Sequence, residues 1–334
     1  IKDGAMGFLS SNVLSRDNLS RMIRRTLATI SKSRINERVP FAEGKAVVDR
    51  YTVPQKRNLL DVDPAEKTGL LFEIEKFLAS GTAKVPGRYL SLGDSVQEKL
   101  LLNSEGTRIE SVTPRASFFY FLTIAHGDTS VQRYWQHGNA GGWEFVEGWG
   151  LPQKMAEEAS ALDRNAREGA AAPTGKLDVV CGPEVVGIMV HESVGHPYEG
   201  DRILGREAAQ AGESFVKRGM LNTRIGSDVV DVSDDPRIEH SFAYYKYDDE
   251  GVPAVEKRLI TKGMIREFLH NRSTAAALGT VSNAASRATD YDREAIVRMS
   301  NTFLKPGDHS EQELIEGITR GVYIKNFTEW NIDD

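Results

Sequence analysis

The sequence predicts an α+β protein, in which an N-terminal α/β domain with antiparallel hairpins and flanking helices precedes a predominantly β C-terminal domain. Three observations support this fold class. Helix-spaced apolar residues alternate with aromatic and β-branched runs over the first half of the 334 residues. Residues 169–175 are rich in Gly and Ala, lack periodicity and are typical of a linker. After them, one strand and one helix lead into short strands and turns. We therefore expect domains at 1–170 and 171–334.

Composition excludes several classes of protein. The chain is 40% hydrophobic and 27% charged with a net charge of −6, which is ordinary for a globular protein but gives no basic face for nucleic acid. Its single cysteine, Cys181, excludes an internal disulfide framework and a four-cysteine zinc site. The longest nearly apolar run, residues 116–125, is far below the roughly 20 residues that cross a bilayer. We expect a soluble protein without nucleic-acid or membrane partners.

Both ends of the sequence suggest a segment of a longer protein. The chain begins with Ile1 and shows no signal-peptide pattern. Near the other end, the alternation of Val322, Ile324 and Phe327 predicts a strand that is only starting when the sequence stops. We expect the start of the first domain and the end of the second to be missing.

Two helices are predicted before the first hairpin. Apolar residues at helical spacing predict one over about residues 18–33, whose basic opposite face could meet an acidic partner or simply be solvated. The other has Asp63 as N-cap, Pro64 at its first position and Glu66 placed to close a capping box, and it ends at Gly81. Its predicted buried stripe is Leu70, Leu71, Ile74, Phe77 and Leu78.

Strand patterns follow from about residue 89 to 148. Residues 100–103 and 109–112 flank a turn and predict a hairpin, and residues 117–124 predict a further strand. Trp135, Trp143 and Trp149 then lie among glycines, as either a ligand platform or sheet packing. Later segments predict, in order, a helix at 152–168, a strand at 177–181, hairpin turns at 249–251 and 262–263, and a short helix at 271–278.

The stretch that carries chemistry begins at Pro183. Pro183 and Glu184 favour a helix start, and residues 185–190 are apolar on nearly all sides, so we expect a buried helix. That helix would carry His191, Glu192 and His196 into the interior. Buried polar groups need partners, and a metal ion would supply one. Core histidines that are simply hydrogen-bonded are the alternative.

The histidine spacing needs a special turn. Zinc-protease helices place two histidines four residues apart, whereas five residues on a regular helix turn the two rings about 140° apart. Gly195 can adopt unusual backbone angles and Pro197 disfavours helical angles at His196, so a widened i→i+5 turn or a break is expected to restore convergence. Glu192 would then act as general base on a zinc-bound water attacking a peptide carbonyl.

These residues resemble the TldD/PmbA family of metalloproteases, once described as modulators of DNA gyrase. The TldD branch has His-Glu-x-x-x-His followed by Glu-Gly-Asp, which here are residues 191–196 and 199–201. Further likeness, at residues 3–7, 248–251, 298–302 and 306–308, extends the resemblance over essentially the whole chain. The resemblance implies that His191 and His196 bind Zn²⁺ and that Glu192 is catalytic.

Several other residues are weaker candidates for the site. The resemblance implies a third zinc ligand, a cysteine beyond Asp334, whereas Cys181 is expected to be a small buried hydrophobe. Glu199 and Asp201 could ligate, although we prefer them as turn residues or acceptors for imidazole N–H groups. The five other histidines are expected to be structural or exposed: His126, His137, His240, His270 and His309. Three arginines could bind a peptide carboxylate or form surface ion pairs: Arg287, Arg293 and Arg298.

The expected function is a cytoplasmic zinc-dependent peptidase that hydrolyses peptide bonds in short or unfolded peptides. The resemblance implies a homodimer, or a heterodimer with a paralogous metal-free subunit, whose site faces an enclosed chamber. A strand-rich domain would suit substrates held as an added extended strand. The alternative is a non-catalytic TldD/PmbA-like binding or regulatory subunit. Direct regulation of DNA is disfavoured by the net charge of −6 and the lack of a basic motif.

Overall fold

The structure, a computed structural model, describes residues 1–32, 39–207 and 214–327. The α-helices in these ranges are α1 (Arg16–Lys32), α2 (Pro64–Ser80), α3 (Trp143–Gly148), α4 (Leu151–Glu168), α5 (Pro183–Val190), α6 (Gly200–Ile203), α7 (Arg272–Leu278) and α8 (Glu311–Glu316). The strands are β1 (Val48–Thr52), β2 (Gly87–Leu102), β3 (Arg108–His126), β4 (Thr129–Ala140), β5 (Asp178–Cys181), β6 (Val232–Asp234), β7 (Lys257–Thr261), β8 (Met264–Ile265), β9 (Ser286–Arg287), β10 (Ile296–Val297), β11 (Thr302–Leu304) and β12 (Gly321–Ile324). The mixed α+β class is therefore confirmed.

The first half is built on one long strand. On one side β3 pairs antiparallel with β2 over its first 16 residues, and on the other it pairs with β1 in parallel and then with β4. Before Pro114 the buried residues of β3 are Ile109, Ser111 and Thr113, on one face of the strand. From Pro114 to Ile124 every second residue is buried on the opposite face, which faces the core of this half. Helices α2 and α4 cover that face, and the resulting core contains Phe118, Leu122, Ile74 and Met155.

The elements predicted for this half are confirmed, with three corrections. The predicted short strands are parts of much longer ones, because β2 and β3 continue on both sides of the aromatic run. Phe77 is 45% exposed, so it does not belong to the buried stripe of α2. The Glu66 carboxylate accepts hydrogen bonds from Arg57 and from Trp143 Nε1, so it forms an ion pair and no capping box. Residue 33, the predicted end of α1, lies outside the described residues.

The second half is less regular than predicted. Its strands have two to five residues, and they form an antiparallel sheet in the order β11-β6-β7-β8 and two separate pairs, β9 with β10 and β5 with β12. Turns and loops connect them, so the prediction of a predominantly β domain overstated the strand content. The turn at Lys262 and Gly263, both with positive φ, and the Asn271-capped helix α7 ending at Gly279 are confirmed.

Helix α5 was expected to be buried, but the structure shows it only partly covered. Val190 is covered, whereas Met189 is 53% exposed and the other residues of α5 are exposed or partly exposed. The reason is that α5 packs mainly on one side, where β11 lies, so its apolar residues are not surrounded. The all-round apolar pattern therefore did not distinguish a buried helix from a helix covered on one side.

Two hydrophobic clusters run along the chain. One spans Leu59 to Ala166 and the other Val190 to Met299, and they lie on either side of the expected linker. The division at residue 170 remains a prediction. Within the described ranges, no helix combines the length and apolar character needed to cross a bilayer.

Candidate metal centre

The two histidines converge because the helix widens after Val190. Residues His191–Gly195 form a π-helical turn, in which the N–H of His196 bonds to the carbonyl of His191. The turn continues as a 3-10 turn over His196–Tyr198. The predicted i→i+5 turn is confirmed, and it converts a five-residue separation into a shared face.

The reasons given for this turn need correction. Gly195 has φ −54° and ψ −66°, and His196 has φ −61° and ψ −47°, so both are helical. Glycine at 195 lets Met299 pack against the turn, because a Cβ there would displace the Met299 Sδ. Pro197 cannot donate to an i−4 carbonyl and its ring would clash with that carbonyl in a regular helix, which favours widening the turn before it.

The turn brings three potential ligands together. One donor atom from each of His191, Glu192 and His196 lies within 4.8 Å of the others. The imidazole centroids are 4.8 Å apart and the rings nearly perpendicular, at 86°. The His191, Glu192 and His196 side chains are 45%, 18% and 27% exposed, so the group opens to solvent. Two imidazole nitrogens and a carboxylate oxygen are a donor set that suits zinc.

The protonation of His191 suits a metal ligand. Burial lowers the pKa of His191, and the nearby charge of His196 lowers it further. A lower pKa keeps the imidazole neutral near pH 7, and only the neutral ring has a lone pair to offer a metal. Glu192 Oε1 lies 3.9 Å from His191 Nε2, next to the ring but without a hydrogen bond of normal length.

A buried carboxylate stands behind His196. Glu199 is fully buried, and its Oε1 lies 3.4 Å from His196 Nδ1. Within the described residues, neither atom has a hydrogen-bond partner. The other oxygen of Glu199 accepts from Arg202 Nε at 2.9 Å and Arg298 Nη1 at 3.2 Å. A proton on Nδ1 facing Glu199 would leave His196 Nε2 free to ligate.

Asp201 supports the backbone around the turn. Its carboxylate accepts from the N–H groups of Arg202 and Val297. Burial and the charge of Glu199 raise the pKa of Asp201 to about 6. Neither Asp201 nor Glu199 belongs to the three-residue group, which agrees with our preference for a supporting role.

The remaining candidates lie elsewhere. Cys181 is in β5 opposite Ile324 and is half-buried. Of the other histidines, His137 stacks on Trp149, His240 contacts the carbonyl of Ala140, and His270 is buried beside Thr274. His126 and His309 are exposed. Trp143 and Trp149 pack in the first cluster and partly exposed Trp135 lies against it, so none of the three forms a ligand platform.

The three candidate arginines differ in their partners. Arg298 pairs with Glu199 and Glu207, and exposed Arg293 lies 3.7 Å from Asp292. Arg287 has no ion pair with a described residue.

Comparisons with known proteins agree with this geometry. Residues 57–166 match the family model described as the PmbA/TldA metallopeptidase central domain, and residues 174–334 match the C-terminal domain of the same group. The chain is 33% identical over 340 residues to a metalloprotease of Methanothermobacter thermautotrophicus and 31% identical over 329 residues to Metalloprotease MJ0996 of Methanocaldococcus jannaschii. These alignments cover 100% and 98% of the chain and 70% of each relative.

Further comparisons give one relative named as a zinc metalloprotease and two solved structures with a similar fold. A protein of Saccharolobus solfataricus named zinc metalloprotease TldD homolog is 28% identical over 304 residues, covering 88% of the chain and 66% of that protein. The crystal structure of TldE from Thermococcus kodakarensis has a TM-score of 0.70 at 16% identity, covering 94% of the chain and 68% of that structure. A Thermotoga maritima structure described as a candidate DNA gyrase modulator has a TM-score of 0.74 at 21% identity, covering 98% and 70%. At these identities the two structures show the fold alone.

Proposed function

Because the chain belongs to the PmbA/TldD family of metallopeptidases, we propose that it is a zinc-dependent peptidase acting on short or unfolded peptides in the cytoplasm. His191 and His196 would hold zinc, and Glu192 would act as general base and acid. The observation that carries this proposal is the π-helical turn, which brings two imidazoles and one carboxylate within 4.8 Å at a surface open to solvent.

The residues present fit a zinc ion. His191 and His196 offer two imidazole ligands of the kind found in catalytic zinc sites, the Glu192 carboxylate lies beside them, and the group opens to solvent. When bound, zinc would lower the pKa of a water molecule and polarise the peptide carbonyl. The Glu192 carboxylate would take the proton from the attacking water and give it to the leaving amine. Glu199, held by Arg202 and Arg298, would keep His196 oriented.

Extended peptides are the substrates that the surroundings favour. Strand β11 ends its sheet and packs beside α5 and the widened turn. A peptide held as an added strand is recognised through its backbone, so many sequences would be accepted. Most strands of a folded protein are already paired in its own sheets, so few of them are free to add to β11. A dimer, with a second copy or with a paralogous metal-free subunit, would enclose the site and strengthen this selection.

The test replaces Glu192 by Gln in the full chain and measures zinc content and cleavage of a fluorogenic unfolded peptide. We expect Glu192→Gln to keep wild-type zinc content and to lose cleavage by about 10² to 10⁴-fold, because general acid–base catalysis contributes that much. Glu157→Gln, at an exposed position on α4, is the matched control and should cleave like wild type. Unchanged cleavage by Glu192→Gln contradicts the role of Glu192. Full zinc content without cleavage in wild type favours a binding subunit.

A further inference from the structure

The side chain of Arg272, the first residue of α7, is buried among residues of the first half of the chain. Its guanidinium forms a bidentate ion pair with Glu105, in which Nη1 donates to Oε2 at 2.7 Å and Nη2 donates to Oε1. Its Nε donates to the carbonyl of Ala42 at 2.7 Å, and the ring centroid of Phe41 lies 4.3 Å from its Cζ. A Cβ at Gly44 would lie 2.9 Å from the same carbon. These partners lie at least 167 positions earlier in the sequence, so no local pattern pointed to Arg272.

Backbone hydrogen bonds also fix the start of α7. The Ala42 N–H donates to the Arg272 carbonyl at 3.0 Å, and the Arg272 N–H donates to the Glu250 carboxylate at 2.7 Å. The Asn271 side chain caps the helix by accepting from the N–H of Thr274 at 2.8 Å. The first half of the chain therefore holds this helix end by both its arginine side chain and its backbone.

The first turn of α7 packs against the segment that follows His196. A Cβ at Gly200 would lie 3.0 Å from Thr274 Cβ and 2.8 Å from the Leu269 carbonyl oxygen, so the two segments are in close contact. The Gly200 N–H donates to the Leu269 carbonyl at 2.9 Å, and the Leu269 N–H donates to the Tyr198 carbonyl at 2.8 Å. Tyr198 and Leu269 are fully buried, so water does not compete for these bonds.

Glu199 lies between the two backbone bonds to Leu269. Its Oε1 is 3.4 Å from His196 Nδ1, so a shift of this segment moves the carboxylate relative to the imidazole. The orientation of a ligating imidazole depends on the acceptor behind its other nitrogen. Arg272 follows Leu269 by three positions, and a displacement at the arginine therefore reaches the carboxylate by a short, buried path.

We propose that Arg272 is a positioning residue of the metal centre, through which the first half of the chain fixes Glu199 behind His196. That the centre holds zinc rests on the proposed function, whereas the contacts that lead from Glu105 to Glu199 do not. Breaking the ion pair between Glu105 and Arg272 should leave both histidines present but loosen Glu199, and this should weaken zinc binding.

The zinc affinity of the full chain, measured by chelator competition, tests this link. Glu105→Gln removes the charge that faces Arg272, and Arg272→Met removes the guanidinium. We expect the zinc Kd to rise about threefold to tenfold in Glu105→Gln and at least about tenfold in Arg272→Met, because residues that support a ligand from behind contribute such factors. A purely structural ion pair would lower the melting temperature without changing the zinc affinity of the folded molecules. Should Arg272→Met fail to fold, the milder Glu105→Gln gives the answer.

Asp49→Asn is the matched control, because it also removes an ion pair between the two halves. The Asp49 carboxylate accepts from Lys246 Nζ at 2.6 Å and from the Tyr247 hydroxyl at 2.7 Å, and neither contact involves α7 or residues 196–200. Asp49→Asn should therefore bind zinc like wild type. Wild-type zinc affinity in Glu105→Gln overturns the proposal, as does an equal loss of affinity in Asp49→Asn.

Amide hydrogen exchange in the metal-free chain tests the link without zinc. The amides of Leu269 and Gly200 donate across the contact, and they should exchange several-fold faster in Glu105→Gln than in wild type or Asp49→Asn. If wild type binds no zinc but this difference is found, the proposed function fails and the link from Glu105 to Glu199 stands. Equal exchange in all three proteins overturns the link, whatever the zinc result.

Discussion

The two halves of the molecule place their charged groups differently. In the first half, carboxylates such as Glu66, Glu75 and Glu110 lie at the surface, and arginine partners lower their pKa. In the second half, Asp248 is buried and Glu250 is partly buried, and this burial raises the pKa of the two carboxyls to about 6 and about 7. The first half keeps these carboxylates at the surface, although it buries the Arg133 guanidinium, whereas the second half takes several carboxylates into its interior.

Backbone regularity explains this difference. Long strands and helices satisfy their own N–H groups, so the first half needs few side-chain acceptors inside. The second half consists of short strands and turns, and its buried carboxylates accept from the backbone instead. Asp248 accepts from the N–H groups of Glu250, Val252 and Ser286. Buried acidic groups thus replace missing ladder bonds around the candidate metal centre.

The largest expected effect concerns Asp234, which is fully buried and pairs with fully buried Lys257 at 3.0 Å. Its oxygens also accept from the N–H and hydroxyl of Ser300 and from the hydroxyl of Thr302. Asp234→Asn would leave Lys257 as an uncompensated buried charge, so we expect a loss of about 3–5 kcal/mol in the free energy of unfolding. Urea denaturation followed by intrinsic fluorescence measures it.

The matched control for Asp234→Asn is a surface pair of the first half. Asp163 bonds to Arg167 one turn later on α4, at 2.9 Å. Asp163→Asn should cost only about 0.3–0.5 kcal/mol, the usual value of such helix pairs. If the two substitutions cost the same, buried charge does not distinguish the halves.

The next effect in size concerns glycine at the widened turn. A Cβ at Gly195 would collide with Met299 Sδ, so Gly195→Ala should displace Met299 and cost about 2 kcal/mol in the free energy of unfolding through overpacking. Zinc affinity, measured by chelator competition, should fall together with stability. Gly69→Ala in α2 is the control, because among the described residues nothing beyond the chain neighbours and the backbone of α2 itself lies within 4 Å of the added Cβ. The free energy of unfolding of Gly69→Ala should rise by about 0.5–1 kcal/mol. A stable Gly195→Ala variant with wild-type zinc affinity would show that the turn tolerates the contact.

The first half was the more predictable from sequence. The N-cap Asp63, Pro64 and the apolar spacing located α2 almost to the residue, and the Gly169 stop located the end of α4. Strand lengths could not be predicted, because β3 runs through polar residues such as Ser111 and Arg115 that owe their conformation to pairing on both sides. Local patterns therefore identified the elements, and tertiary pairing set their extent.

The candidate site was predicted in outline and for partly incorrect reasons. The histidine spacing indicated a widened turn, and it exists, but the contact that favours glycine comes from Met299, more than 100 positions later in the sequence. Such contacts leave no trace in local spacing, so sequence reasoning could name the ligands but not their support.

The smallest predicted effect compares how stability changes with pH in the two halves. Burial raises the pKa of Glu250 from 4.5 to about 7, so the folded state favours its protonated form. The stability that the protonated Glu250 carboxyl contributes is fully present below pH 4.5 and is lost as the pH rises through 7. The Glu250→Gln variant has no ionisable group at this position. Between pH 4.5 and pH 8, its free energy of unfolding should therefore fall less than that of wild type, and the difference should be roughly 1–2 kcal/mol.

Glu75 should show the opposite sign. Hydrogen bonds from Arg88 lower the pKa of Glu75 below 4.5, so its stabilising effect is present above that pH and is lost in more acidic solution. Glu75→Gln should therefore be slightly less stable than wild type at pH 7, and the gap should close as the pH falls below 4.5. Urea titrations at several pH values measure both variants. A buried acid with a raised pKa and a surface acid with a lowered pKa must change stability with pH in opposite directions. Parallel pH profiles for wild type, Glu250→Gln and Glu75→Gln would therefore mean that the two halves do not differ in how they shift the pKa of their carboxylates.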